Sequence, residues 1–97
     1  MLPHELHADA RQEVDEAFEW YESHVPGLGQ GFLTELDDAL AAIAEMPDAW
    51  PRFSRGTRRY RMHRFPYGVV YLLDQNRIRV FAVMHLSRRP GYWFDRL

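Results

Sequence analysis

Arg58-Arg59-Tyr60-Arg61-Met62-His63-Arg64-Phe65-Pro66-Tyr67-Gly68-Val69-Val70-Tyr71-Leu72-Leu73-Asp74-Gln75-Asn76-Arg77-Ile78-Arg79-Val80-Phe81-Ala82-Val83-Met84-His85-Leu86 is the stretch on which the fold turns. Arg58–Phe65 alternates, with Tyr60 and Met62 on one parity and Arg59, Arg61 and His63 on the other, the pattern of a strand with one wet, basic face. Pro66-Tyr67-Gly68 turns the chain. Val69–Leu73 is apolar throughout, as in a strand covered on both faces. Asp74-Gln75-Asn76 supplies residues that tolerate the left-handed positions of a hairpin turn. Ile78–Leu86 then sets Ile78, Val80, Ala82 and Met84 against Arg79, Phe81, Val83 and His85. Short turns make these consecutive strands antiparallel neighbours.

Upstream the period changes from two to about 3.6. In Asp9–Val25 the residues Ala10, Val14, Ala17, Phe18, Tyr21 and Val25 form one apolar stripe. Asp9 with Gln12 resembles a capping box at its start. Pro26-Gly27-Leu28-Gly29 breaks the run, and a second stripe follows in Phe32, Leu36, Leu40 and Ile43 until Pro47 stops it. The short connection predicts an antiparallel pair. Leu2–Leu6 offers an edge strand weakened by Pro3. Downstream, Ser87–Leu97 is too broken for a strand and is expected to end in a turn of helix over the sheet. The pattern is α+β: a two-helix hairpin on one face of a small antiparallel sheet of three to four strands. The opposite face is then expected to carry Arg59, Arg61, His63, Arg79 and His85.

Ninety-seven residues fit one domain, residues 1–97, able to bury close to two thirds of its surface, with about 6,000 Å² left exposed. The chain has no cysteine, which excludes disulfides, thiolate metal sites and thiol nucleophiles. Its five histidines are scattered, so no metal or other cofactor is expected. No run approaches the roughly 18 apolar residues of a membrane span, and Met1–Ala10 lacks the apolar stretch of a signal peptide. A cytoplasmic protein without a membrane partner is the expectation. The charge is split: residues 1–50 hold twelve acids and one arginine, residues 51–97 eleven arginines and two acids, and lysine is absent. Arginine makes two-pronged contacts with phosphate and carboxylate, and the split suggests a basic surface for a polyanion or an acidic partner. Arg58 and Arg64, on the wrong parity for that surface, are expected to pair with helix acids.

Gly-rich phosphate loops, His-Glu-x-x-His and Gly-x-Ser-x-Gly are absent. Arg59 and Arg61 suit a nucleic-acid backbone or a partner's carboxylates, or equally an edge strand blunted by charge. His85, Arg88 and Tyr92 stand close in sequence. A neutral histidine can move a proton near pH 7, arginine can stabilise phosphorane-like charge and tyrosine can orient or stack, which suffices for metal-free RNA cleavage. The plainer reading is a histidine closing a strand and Tyr92, Trp93 and Phe94 capping the core. The helix acids read as solvated faces.

The order of these features resembles the RelE/ParE superfamily of type II toxin–antitoxin modules. The resemblance rests on Glu19-Trp20-Tyr21-Glu22, Pro26-Gly27-Leu28-Gly29 and Phe32-Leu33, on Ile43 through Pro47 with Trp50-Pro51, and on Arg58-Arg59-Tyr60 running into Arg64-Phe65-Pro66-Tyr67-Gly68-Val69-Val70-Tyr71. It closes with Ile78-Arg79-Val80-Phe81-Ala82-Val83, His85, Arg88-Arg89-Pro90-Gly91-Tyr92-Trp93 and Arg96. It implies a small toxin held inactive by a cognate antitoxin, as a hetero-oligomer, with an arginine-rich face receiving an acidic tail that folds on binding. Arg59, Arg61, His63, Arg79, Arg89 and Trp93 would then contact target or antitoxin. One branch of the superfamily cleaves mRNA on the ribosome, and His85, Arg88 and Tyr92 would be its catalytic set here. The other poisons DNA gyrase without chemistry of its own. The absent lysines and the Arg-Arg-Pro-Gly-Tyr-Trp ending are similar to the ParE-type and plasmid-stabilisation members, which favours gyrase. An inactive protein-binding module is the third reading.

Overall fold

A computed structural model describes residues 2–97. Strand β1 (His4–Leu6) leads into helices α1 (Ala8–His24) and α2 (Leu28–Glu45), followed by β2 (Arg58–Arg61), β3 (Tyr67–Asp74) and β4 (Arg77–His85), with single 3₁₀ turns at Ser54–Gly56 and Phe94–Arg96. The strands lie in the order β1-β4-β3-β2. The three later strands form the antiparallel meander that their alternation indicates. The first strand differs: β1 runs parallel to β4, with His4 opposite Ile78 and Leu6 opposite Val80, so the sheet is mixed. Both helices and two strands separate the partners, ample chain for a parallel return. Pro3 is tolerated because it contributes only its carbonyl, which accepts from the Ile78 N–H at 2.9 Å.

The helices cover one face of the sheet. Ala10, Val14 and Ala17 of α1 and Phe32, Leu36, Leu40 and Ile43 of α2 meet Val69, Tyr71, Ile78, Val80 and Val83. His7, not Asp9, caps α1: its Nδ1 accepts from the Asp9 N–H at 3.1 Å. The second helix starts a turn earlier than its apolar stripe, because the hairpin is closed by a carboxylate. Glu22 accepts from the backbone N–H groups of Gly27 (2.8 Å) and Gly29 (3.0 Å). Gly29 allows the helices to approach, since a Cβ there would lie 2.7 Å from the Phe18 carbonyl oxygen.

Two departures from strict alternation decide what the sheet presents. Strand β2 stops at Arg61, short of Phe65, because the Glu35 carboxylate of α2 takes the backbone N–H groups of His63 and Arg64. In β4 the pairing passes from Ala82 opposite Val70 to Val80 opposite Tyr71, leaving Phe81 as an extra, bulged residue. The bulge flips the parity of everything after it. Ile78, Val80 and Val83 face the helices, whereas Phe81, Ala82 and Met84 face away.

The face away from the helices is accordingly no open arginine surface. Val70, Phe81, Ala82 and Met84 form a second small core under Trp93, with Phe53, Leu72, Tyr92 and Phe94 packed around it. The tail ends over the sheet in the 3₁₀ turn Phe94–Arg96.

Candidate functional site

The arginines sort by position along the sheet. At the end where β1 starts and the β3–β4 hairpin turns on Gln75 and Asn76, both with left-handed φ, cations are paired. Arg79 lies 3.2 Å from Asp74 and 3.5 Å from Glu5, and Arg77 lies 3.7 Å from Glu5. Arg79 is therefore removed from the expected docking face. Arg58 pairs with Asp48 (3.7 Å), in the loop after α2 rather than on a helix, and donates to the Trp50 carbonyl at 2.8 Å.

At the opposite end β2 finishes, β3 begins and β4 finishes, with Arg61 opposite Gly68 and Tyr67 opposite His85. Arg59, Arg61, Arg64, Arg88 and Arg89 belong to the segments that run to this end, on both faces of the sheet, and among the described residues none has a carboxylate within ion-pair distance. Arg64 does not pair with a helix acid as expected: its guanidinium lies 5.1 Å from the Phe65 ring centre and against Gly31. Arg59 lies 4.3 Å over the Phe53 ring and across Gly68, where a Cβ would meet its chain at 2.8 Å. Burial, and then the charge of Arg61, lower the Arg59 pKa from its ordinary value. Arg52, Phe53, Arg59 and Arg61 line one shallow hollow, and Arg55 stacks on Phe94 at 4.3 Å. The backbone of β2 reinforces this edge: Arg59 N–H donates to Pro51 C=O at 3.1 Å, while Arg61 exposes its side chain beyond that contact.

The helix acids closest to this end are spent elsewhere. Glu13 binds one turn of tail: its carboxylate accepts from Tyr92 Oη (2.5 Å), from Arg96 Nη1 (3.0 Å) and Nη2 (3.1 Å), and from the Val83 N–H (3.0 Å). Its side chain and that of Arg96 are each 11% exposed. Burial and the Glu13 hydrogen bond push the Tyr92 phenol far above its ordinary value. Burial alone would lower Arg96, but Glu13 together with Tyr92 and Asp9 raises it. Glu13, Glu22 and Glu35 thus hold backbone N–H groups and, for Glu13, a buried guanidinium. They are not the solvated faces their sequence suggests.

Between α1 and this end of the sheet lies a groove of about 600 Å³, walled by Ala17, Trp20, Tyr21, Pro66, Tyr67 and Val83, with Glu13, Glu16, His85 and Arg88 also lining it. The bulge brings His85 here, to the helix side, rather than to the arginine face. Its ring meets Tyr67 edge-on at 5.1 Å. His85 Nδ1 accepts from the Ser87 N–H at 3.1 Å and lies 2.7 Å from Ser87 Oγ. That bond places the proton of the neutral ring on Nε2, so His85 offers the groove a donor and not a base. Arg88 lies 4.0 Å over the Tyr92 ring. His85 and Arg88 therefore share a groove, but the Tyr92 hydroxyl is committed to Glu13.

The other expected contacts disperse. His63, beyond the end of β2, is beside Tyr60, with Nε2 3.5 Å from its hydroxyl. Trp93 is fully buried and supplies core, not contact surface. Arg89 is exposed at the open end. Trp20, part of the Glu19-Trp20-Tyr21-Glu22 motif but not among the expected contact residues, is 57% exposed and stacks on His24 at 3.9 Å. Its signal was available: it is an aromatic residue outside the α1 apolar stripe. Among the described residues no three His, Asp or Glu side chains group as a metal site, and no helix is long and apolar enough to cross a membrane.

A family model described as the ParE toxin of the type II toxin–antitoxin system, parDE, matches residues 5–90. No curated protein sequence matches the chain. Among solved structures, a chain of the chromosomal ParDE TA system from P. aeruginosa has the same fold, with a TM-score of 0.64 at 13% identity over 88% of this chain and 96% of that one.

Proposed function

The chain belongs to the ParE toxin family of type II toxin–antitoxin systems, and from that premise we propose that it acts in the cytoplasm on DNA gyrase, as a stoichiometric poison silenced by a cognate antitoxin. The observation that carries the gyrase reading is the engagement of Tyr92. Its hydroxyl donates to Glu13 under the charge of Arg96, and His85 presents a donor at Nε2. Neither is an available general base, so the C-terminal residues support binding rather than phosphoryl chemistry. The antitoxin reading is supported by the open end of the sheet, where Arg59, Arg61, Arg64 and Arg89 lack carboxylates and would complement an acidic segment.

The test is direct. Expression of the chain alone arrests growth, and co-expression of the antitoxin relieves the arrest. Purified chain added to gyrase and supercoiled DNA accumulates cleaved, protein-linked DNA, while mRNA in a translation extract stays whole. One observation favours the ribosomal alternative: His85 and Arg88 line the same groove. Cuts at ribosomal A-site codons that weaken in His85→Ala, without trapped gyrase, would replace the gyrase reading with that of an mRNA endonuclease. Soluble expression with normal growth would leave a protein-binding module.

A further inference from the structure

The groove between α1 and the open end of the sheet is built unlike the rest of the surface. Its roughly 600 Å³ lies within the range of specific ligand pockets. Trp20, more than half exposed, stands at its wall beside Tyr21 and Tyr67. An exposed tryptophan beside half-buried tyrosines at a concave site is a common anchoring point of protein interfaces. The floor does not repel an anion, since the Glu13 carboxylate is matched by the Arg96 guanidinium. One lip carries Arg88, which has no carboxylate partner among the described residues, and the Nε2–H of His85. The other carries Glu16.

From this arrangement we infer that the groove is an anchor pocket for a single aromatic side chain of an acidic partner segment, whose neighbouring carboxylates engage Arg88 and His85. The inference rests on the antitoxin reading for the existence of such a partner, and adds where and by what side chain it is gripped. A nucleic acid also offers aromatic rings and negative charge. Its phosphates, however, repeat along the whole strand and would have to pass the acidic side of α1, where Glu16 and Glu19 are exposed. A peptide places its carboxylates on one side only. The one-sided cationic lip therefore favours the peptide.

Trp20 also provides the readout, because Trp93 is buried and Trp50 is half-buried. The probe is a synthetic dodecapeptide whose Asp and Glu residues all lie to one side of a single phenylalanine, compared with its alanine twin, titrated into the full chain. The phenylalanine peptide is expected to bind roughly tenfold tighter and to shift the Trp20 emission to the blue. Trp20→Ala abolishes that preference. Arg88→Glu, at the lip of the groove, weakens both peptides by the same factor. In the unaltered chain the phenylalanine ring protons show nuclear Overhauser contacts to Tyr67 and His85, which makes the result independent of any variant's folding. Equal affinities for the twins, absence of binding by either at millimolar concentration, or tighter binding of a single-stranded oligoribonucleotide to the same groove would overturn the inference. Growth arrest relieved by the antitoxin is a separate readout, so the groove can fail while the toxin reading stands.

Discussion

The two ends of the sheet carry the same kind of side chain in opposite states. At the hairpin end Arg77 and Arg79 lie against Glu5 and Asp74. At the other end Arg61, Arg64, Arg88 and Arg89 have no such partner among the described residues, although α1 and α2 place acids nearby. The difference is one of competition for carboxylates. Glu5 arrives on an edge strand beside Arg77 and Arg79, whereas Glu13 meets the N–H of buried Val83 and Glu35 caps the N–H groups of His63 and Arg64 at the exposed end of β2. A buried donor left unsatisfied costs more than a surface ion pair contributes. The helix acids therefore close the fold, and the arginines at that end remain for an outside partner.

The strongest way to break this comparison is to remove Glu13. Glu13→Ala leaves the mostly covered Arg96 with only the longer 3.8 Å contact to Asp9 and orphans the Val83 N–H, and is expected to cost about 2–4 kcal/mol, measured by urea unfolding. A loss under about 1 kcal/mol would mean that Glu13 was not committed to the fold. Alkaline pH probes the same commitment. All five tyrosines have pKa values raised above the ordinary 10, chiefly by burial, with Tyr71 pushed up to about 12. Because the folded state holds the neutral phenol, this stabilisation is complete below pH 10 and is lost as pH rises through the folded values. For Tyr71, buried with its hydroxyl 2.5 Å from the Pro47 carbonyl oxygen, the loss between pH 10 and 12 is on the order of 2–3 kcal/mol. Thermal unfolding of Tyr71→Phe should show a shallower alkaline decline than the unaltered chain, and an identical slope would contradict this assignment.

Charge reversal separates the ends more finely. Arg59→Glu/Arg61→Glu should weaken antitoxin binding by about 2 kcal/mol at low salt, less at high salt, as read by calorimetry. Arg77→Glu at the hairpin end should leave that affinity within about twofold. Equal losses at both ends would remove the distinction between them. The smallest effect is expected from Arg79→Ala, which deletes two exposed ion pairs and should change unfolding stability by less than about 1 kcal/mol.

Much of this was legible along the chain. The apolar stripes of both helices, the Val69–Leu73 strand and the turn at Gln75-Asn76 follow from local spacing and are largely as their pattern indicates, except that Val25 caps α1 from outside and is exposed, and that Leu73 at the hairpin end is exposed as well. The family likewise follows from motifs spread over most of the chain. The parity of His85 was not legible, because the bulge at Phe81 is set by the pairing of two strands and leaves no mark in either alone. The commitments of Glu13 and Tyr92 were equally hidden, since they join residues 79 positions apart.

The sequence by itself determined the secondary elements, the α+β class and the excess of arginine in the second half, because each depends on periodicity or composition within a few turns of chain. Only the tertiary structure decided which arginines are neutralised, that the sheet's far face is a second core under Trp93, and that a groove opens beside Trp20. Those outcomes depend on which carboxylates and apolar rings reach one another once the helices, the bulged strand and the tail are packed. That proximity is a property of three dimensions, which no local pattern encodes.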